Sequence, residues 1–82
     1  MQARLVLSEG QWISVSLPKG RDPSWTIADE YAFAAAYASA IRCKFSEIRA
    51  MNTAEATVLR RLYPGLVFDR GLEQDIQSIV PQ

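Results

Sequence analysis

Within residues 3–17, ARLVLSEGQWISVSL, apolar side chains recur at every second position in two runs, 3–7 and 13–17, which is typical of strands with one buried face. A three-residue turn at Ser8–Gly10 places the two apolar sets on the same face, with Leu5 opposite Ile13. The same register puts Trp12 on the other face. The pattern therefore predicts an N-terminal β-hairpin.

After a loop predicted at residues 18–24, PKGRDPS, apolar residues recur at alternating steps of four and three, as on one face of a helix. These residues are Ile27, Tyr31, Ala34, Ala38, Ile41, Phe45 and Ile48. Thr26 can cap this helix, with acids in its first turn. Because no glycine or proline interrupts the next residues, the pattern predicts one long helix to about Met51. A competing interpretation ends it near Lys44 and makes residues 47–51, EIRAM, a short strand.

The remaining chain predicts two shorter helical segments. Asn52 with Glu55 resembles the capping box of a second helix, which Pro64-Gly65 would stop. Residues 66–68, LVF, could add a third short strand beside the hairpin. A short amphipathic helix, stable only when docked on another element, is indicated by the spacing of Leu72, Ile76, Ile79 and Val80.

These elements together predict a single α+β domain spanning residues 1–82, since a chain of this length leaves no room for a second core. In this expected fold, the N-terminal hairpin packs on one long helix. A shorter second helix and a short C-terminal helical segment complete it.

The central run of the long helix, residues 31–41, YAFAAAYASAI, carries no charge. A helix without a polar face is usually buried all round. Three covers fit: the second helix with the C-terminal segment, a second copy of the chain, or a different protein. Alternatively, alanine simply faces water as the best helix former. The residues expected at a partner interface are Trp12, Phe33, Ala36, Tyr37 and Cys43.

The chain contains no histidine and one cysteine, which excludes Ser-His-Asp and Cys-His nucleophiles and ordinary zinc sites. We therefore expect no enzyme, no cofactor and no metal site. The single cysteine and the absence of a long apolar leader favour a cytoplasmic location. The run at residues 31–41 is too short to cross a bilayer, so no membrane partner is expected.

Nine basic and nine acidic residues cancel, so no long-range field attracts the chain to nucleic acid. The first hypothesis is a non-enzymatic adaptor, inhibitor or assembly factor that binds another protein or a second copy of itself through helix packing. The second hypothesis is a small nucleic-acid-binding regulator. It would contact phosphates through Arg42, Arg49, Arg60 and Arg61.

Overall fold

The structure, a computed structural model, describes residues 25–79 together with the backbone of residues 2–6 and 12–16. In chain order its elements are β1 (Gln2–Val6), β2 (Trp12–Ser16), α1 (Ile27–Arg42), α2 (Glu47–Leu62), β3 (Leu66–Val67) and α3 (Arg70–Ile79). Three features predicted from the sequence lie outside the described residues: the turn at Ser8–Gly10, the loop at residues 18–24 and the position of Val80.

The architecture is mostly helical, which corrects the α+β class predicted from the sequence. Between residues 25 and 79, 76% of the chain is helical, in three helices, and the strand found there, β3, has two residues. A hairpin packed on one long helix is therefore not the fold of this chain. The predicted long helix is instead replaced by α1 and α2, each of 16 residues.

The short strands pair through their backbones in the order β2-β1-β3, and both pairs are antiparallel. Within this register Leu5 lies opposite Ile13 in β2 and opposite Leu66 in β3. The third strand predicted at residues 66–68 is present, shortened to Leu66–Val67. Its pairing with β1 joins the N-terminal strands to the helical part of the chain.

A Schellman motif ends α1 and explains why the helix does not continue to Met51. The Phe45 N–H donates to the Ala40 carbonyl at 3.1 Å, and the Lys44 N–H donates to the Ile41 carbonyl at 3.0 Å. Lys44 has a φ of 70°, the left-handed conformation that this motif requires. The Phe45 side chain packs on the core cluster that contains Ala40, so the chain turns back at this point.

The second helix begins earlier than its predicted capping box. Ser46 is the N-cap, because its hydroxyl oxygen accepts a hydrogen bond from the Arg49 N–H at 3.2 Å. Residues 47–51 form the first turns of α2, so the competing interpretation is right about where the first helix ends and wrong about the strand. Asn52 and Glu55 lie inside α2, and the capping box predicted there is wrong.

The predicted start of the first helix is confirmed. The Thr26 hydroxyl accepts from the Asp29 N–H at 3.2 Å, and the Asp29 carboxylate accepts from the Thr26 N–H at 3.0 Å. This reciprocal pair is a capping box, and it leaves Asp29 only 5% exposed. The capping box therefore lies on the side of α1 that turns towards the protein interior.

The helices α1 and α2 form an antiparallel pair whose contact is built from alanines. Arg61, near the end of α2, reaches the carbonyl of Ala28, near the start of α1, at 3.4 Å. Small side chains at a helix contact let the two axes approach closely. The alanines buried in this cluster are Ala36, Ala40, Ala50 and Ala54. The second helix therefore covers the face of α1 that carries Ala36 and Ala40, one of the possibilities that the sequence leaves open.

The C-terminal segment forms a docked amphipathic helix, as predicted. Ile76 packs in a cluster with Leu59 and Phe68, while Ile79 packs on the alanine cluster of α1 and α2. The Asp69 carboxylate accepts from the Leu72 N–H at 2.9 Å and caps the start of α3. The core thus continues from the helix pair to α3.

Replacing Lys44 with glycine is expected to stabilise the protein by about 0.5–1 kcal/mol. A residue with a Cβ loses about 1–2 kcal/mol in the left-handed region, and the greater freedom of an unfolded glycine offsets part of that gain. The free energy of unfolding in urea measures the effect. Lys44→Ala removes the same charge but keeps the Cβ, so it should not stabilise. Equal stability of the two variants would contradict the role of backbone conformation here.

Candidate interaction surface

One face of α1 carries large apolar side chains that face solvent. Ile27 is 71% exposed, Tyr31 74% and Ile41 39%. With the exposed alanines between them they form a continuous line along the helix, which we call the exposed stripe: Ile27, Tyr31, Ala34, Ala38 and Ile41. The sequence pattern places these residues against the hairpin, and the structure corrects that assignment.

The side of α1 that faces the core is the opposite one. Its residues, which we call the inner stripe, also follow helical spacing: Asp29, Phe33, Ala36 and Ala40. Positions 34 and 36 are separated by about 200° around a helix, so the two stripes lie on nearly opposite faces. The inner stripe faces the core because its alanines allow close contact with α2. The bulky Tyr31 would hold the two helices apart.

Further apolar surface lies at the end of the helix pair where α1 stops. Ile48, in the first turn of α2, is 77% exposed. Phe45, in the turn between the helices, is half-buried, and the Arg49 guanidinium lies 3.8 Å from the centre of its ring. Apolar surface is therefore also exposed at the end of the helix pair where the exposed stripe ends.

Three of the five interface residues predicted from the sequence contribute to packing within the chain. Ala36 is buried, and Phe33 and Tyr37 pack on the same cluster, with their ring centres 6.5 Å apart. Cys43 is exposed, and its Sγ lies 3.9 Å from the Ser78 carbonyl oxygen. Trp12 belongs to β2, but its side chain lies outside the described part of the chain. A partner role for Trp12 and Cys43 stays a prediction.

Two of the four arginines predicted to contact nucleic acid form ion pairs that connect α2 to α3. Arg49 binds the Asp75 carboxylate through Nε at 3.0 Å and Nη2 at 2.6 Å. Arg60 binds Glu73 through both terminal nitrogens, one of them 2.9 Å from Oε2. Its Nη2 also donates to the Leu66 carbonyl at 3.1 Å. Arg60 therefore connects α2, β3 and α3.

The four arginines do not form one patch. Arg42 donates to the Ser39 hydroxyl and lies at the same end of the helix pair as Arg49. Arg60 and Arg61 lie at the opposite end, because 11 residues of helix separate Arg49 from Arg60, a rise of about 16 Å. The four arginines to which the sequence analysis assigns phosphate contacts are therefore divided between the two ends of the helix pair. A nucleic-acid role stays a prediction without a geometric observation in its favour.

The ion pairs shift the pKa values of both carboxyl groups downwards. The hydrogen bond from Arg60 is the main cause of the lowered pKa of Glu73; burial opposes it, and the Phe68 N–H adds to it. The hydrogen bond from Arg49 likewise lowers the pKa of Asp75. In each pair the pKa of the arginine is raised by the same hydrogen bond. Acid should therefore weaken the attachment of α3.

The free energy of unfolding is expected to fall as the pH drops below about 4, near the pKa of an unfolded carboxyl group. Glu73 and Asp75 bind fewer protons when folded, so their contribution is complete above the unfolded pKa. It is lost as the pH falls through the lower, folded pKa. Urea unfolding between pH 7 and pH 3 measures this slope. Glu73→Gln should flatten it, and the exposed neighbour control Gln74→Ala should not. Identical slopes in wild type and Glu73→Gln would refute the assignment.

None of the helices in the described residues is both long and apolar enough to cross a bilayer. Among the same residues, no three histidine, cysteine, aspartate or glutamate side chains group closely enough to hold a metal ion. A comparison of the chain with protein-family models, with curated proteins and with solved structures finds no match.

Proposed function

We propose that this chain is a small non-enzymatic protein-interaction module, an adaptor, inhibitor or assembly factor, whose contact surface is the exposed stripe of α1. The observation that supports this most is the exposure of Ile27 and Tyr31, 71% and 74%, on one face of a regular helix. Continuous apolar patches on small proteins commonly mark protein contacts.

The composition of the stripe fits a protein contact. It carries no charge, and its large side chains stand at both ends with alanines between them. Tyrosine is among the residues that most often anchor interfaces, because its large ring loses little conformational freedom on binding. The charged residues Glu30 and Arg42 lie beside the stripe, as charges do at the rim of an interface.

The chemistry of the chain supports a binding role over a catalytic one. No histidine is present to serve as a general base near neutral pH, and Cys43 is the single cysteine. Small secreted domains usually carry several disulfide bonds, whereas this chain has one cysteine. We therefore propose that the protein acts in the cytoplasm. The nucleic-acid alternative is less favoured, because Arg49 and Arg60 already form ion pairs with Asp75 and Glu73.

Affinity capture from the native host with three forms of the chain tests the proposal. Wild type and the control Tyr63→Glu, which alters a tyrosine 51% exposed outside the stripe, should retain the same proteins. Tyr31→Glu should lose them, because it replaces a large apolar contact side chain with a charge. If Tyr31→Glu retains the same proteins as wild type, the stripe is not the contact surface.

A further inference from the structure

We propose that the partner of the exposed stripe is the same stripe of a second copy, with the two α1 helices packed antiparallel across a two-fold axis. This inference rests on the proposed function and specifies its partner. It draws on three properties of α1: the spacing of the stripe, the distribution of charge along the helix and the area that is exposed.

The spacing of the exposed stripe is that of a two-helix contact. Its residues follow one another at steps of four, three, four and three, the heptad pattern with which a helix meets another helix along its length. In an antiparallel pair centred near position 36, Tyr31 faces Ile41 of the second copy and Ala34 faces its Ala38. Bulky side chains then meet at both ends, and the alanines meet in the centre.

The charges along α1 select the antiparallel orientation. Glu30 lies in its first turn beside the exposed stripe, Arg42 lies in its last turn and Lys44 follows, whereas Asp29 is buried on the inner stripe. In the antiparallel pair Glu30 lies beside Lys44 of the second copy, and two-fold symmetry repeats this contact. The helix dipoles also oppose each other favourably. A parallel pair would place acid beside acid and base beside base, which is destabilising.

The exposed area corresponds to a small interface. The three large side chains of the stripe, Ile27, Tyr31 and Ile41, together expose roughly 300–450 Å² per copy, given about 150–250 Å² for a fully accessible large side chain, and the exposed alanines add to this area. Standard interfaces bury about 800 Å² per partner, and the weakest specific ones bury less. We therefore expect a weak, reversible dimer.

Sedimentation equilibrium over a range of protein concentrations tests self-association. Wild type and Tyr63→Glu should dimerise with similar affinity, and Tyr31→Glu should raise the dissociation constant at least about 30-fold. Circular dichroism checks that each variant folds, which is expected because both tyrosines are exposed. A wild type that stays monomeric at millimolar concentration would overturn the inference.

Cross-linking tests the orientation. In a Cys43→Ser background, Ala35→Cys places the new thiol beside its symmetry mate, because position 35 flanks the two-fold axis. Ala28→Cys is the matched control, since the two thiols at this position would lie about 24 Å apart along the helices. Oxidation, or a short bifunctional maleimide, should link the first variant and not the second. Equal linking at both positions would indicate parallel helices and overturn the antiparallel assignment.

The two proposals can fail separately. A monomeric wild type that still loses captured proteins on Tyr31→Glu would overturn the second copy as partner and leave the interaction surface in place. Capture and self-association that are both unaffected by Tyr31→Glu would overturn both proposals.

Discussion

Ala40→Glu is expected to unfold the protein or to lower its free energy of unfolding by about 4 kcal/mol or more. Ala40 has no exposed surface and lies where α1 meets α2, against Ala50 and Ala54. A glutamate there would separate the helices and bury an unpaired charge, two of the largest destabilising effects known for single substitutions.

The matched control is Ala35→Glu, on the exposed side of the same helix. It should change the free energy of unfolding by no more than about 0.5 kcal/mol. Urea unfolding followed by circular dichroism, at a dilute concentration that keeps association out of the measurement, compares the two. Similar losses in both variants would mean that the alanine contact is not what holds the helix pair together.

Arg60→Met is expected to lower the free energy of unfolding by about 1–2 kcal/mol. The substitution removes a charged pair of hydrogen bonds to Glu73 and the bond to the Leu66 carbonyl, while most of the aliphatic contact stays. Hydrogen bonds to charged groups contribute about 1.5–3 kcal/mol each, and the partial exposure of this pair reduces that figure.

The control for Arg60→Met is Arg61→Met, which removes the same charge one residue later. Within residues 25–79, Arg61 makes one long contact, 3.4 Å to the Ala28 carbonyl, so its replacement should change the stability little. Amide hydrogen exchange provides a second readout, because Arg60→Met should speed exchange in α3 more than in α1. If α3 exchanges at the wild-type rate in Arg60→Met, the ion pair does not attach it.

The sequence predicts the start of α1 and the docked tail well, because each depends on local signals. Thr26 and Asp29 form a capping box that short-range spacing reveals. Leu72, Ile76 and Ile79 mark the apolar side of α3 at helical spacing. In both cases the residues that define the element also make its contacts.

The end of α1 could not be read from the usual signals. Helices of this kind normally end with glycine in the left-handed position, and here Lys44 occupies it. A weaker signal was available: Ser46 followed by Glu47 is a typical N-cap with an acid in the first turn. Giving that signal more weight than the missing glycine would have separated the two helices.

The orientation of α1 was missed because hydrophobicity and packing favour opposite faces. Ile27, Tyr31 and Ile41 are the more hydrophobic set, and amphipathic reasoning assigns such residues to the core. Ala36 and Ala40 bury less surface each, but they let α2 approach closely along the whole helix. Asp29 also belongs to the inner stripe, and its charge makes that face look polar in the sequence although its carboxylate is buried in the capping box.

The placement of the two stripes on opposite sides of α1 separates folding from recognition. Substitutions at Ile27, Tyr31 or Ile41 leave the alanine contact with α2 intact, so they should have little effect on the scaffold. The outer face is therefore free to diverge and acquire new binding preferences, while the inner face stays under the constraint of close packing.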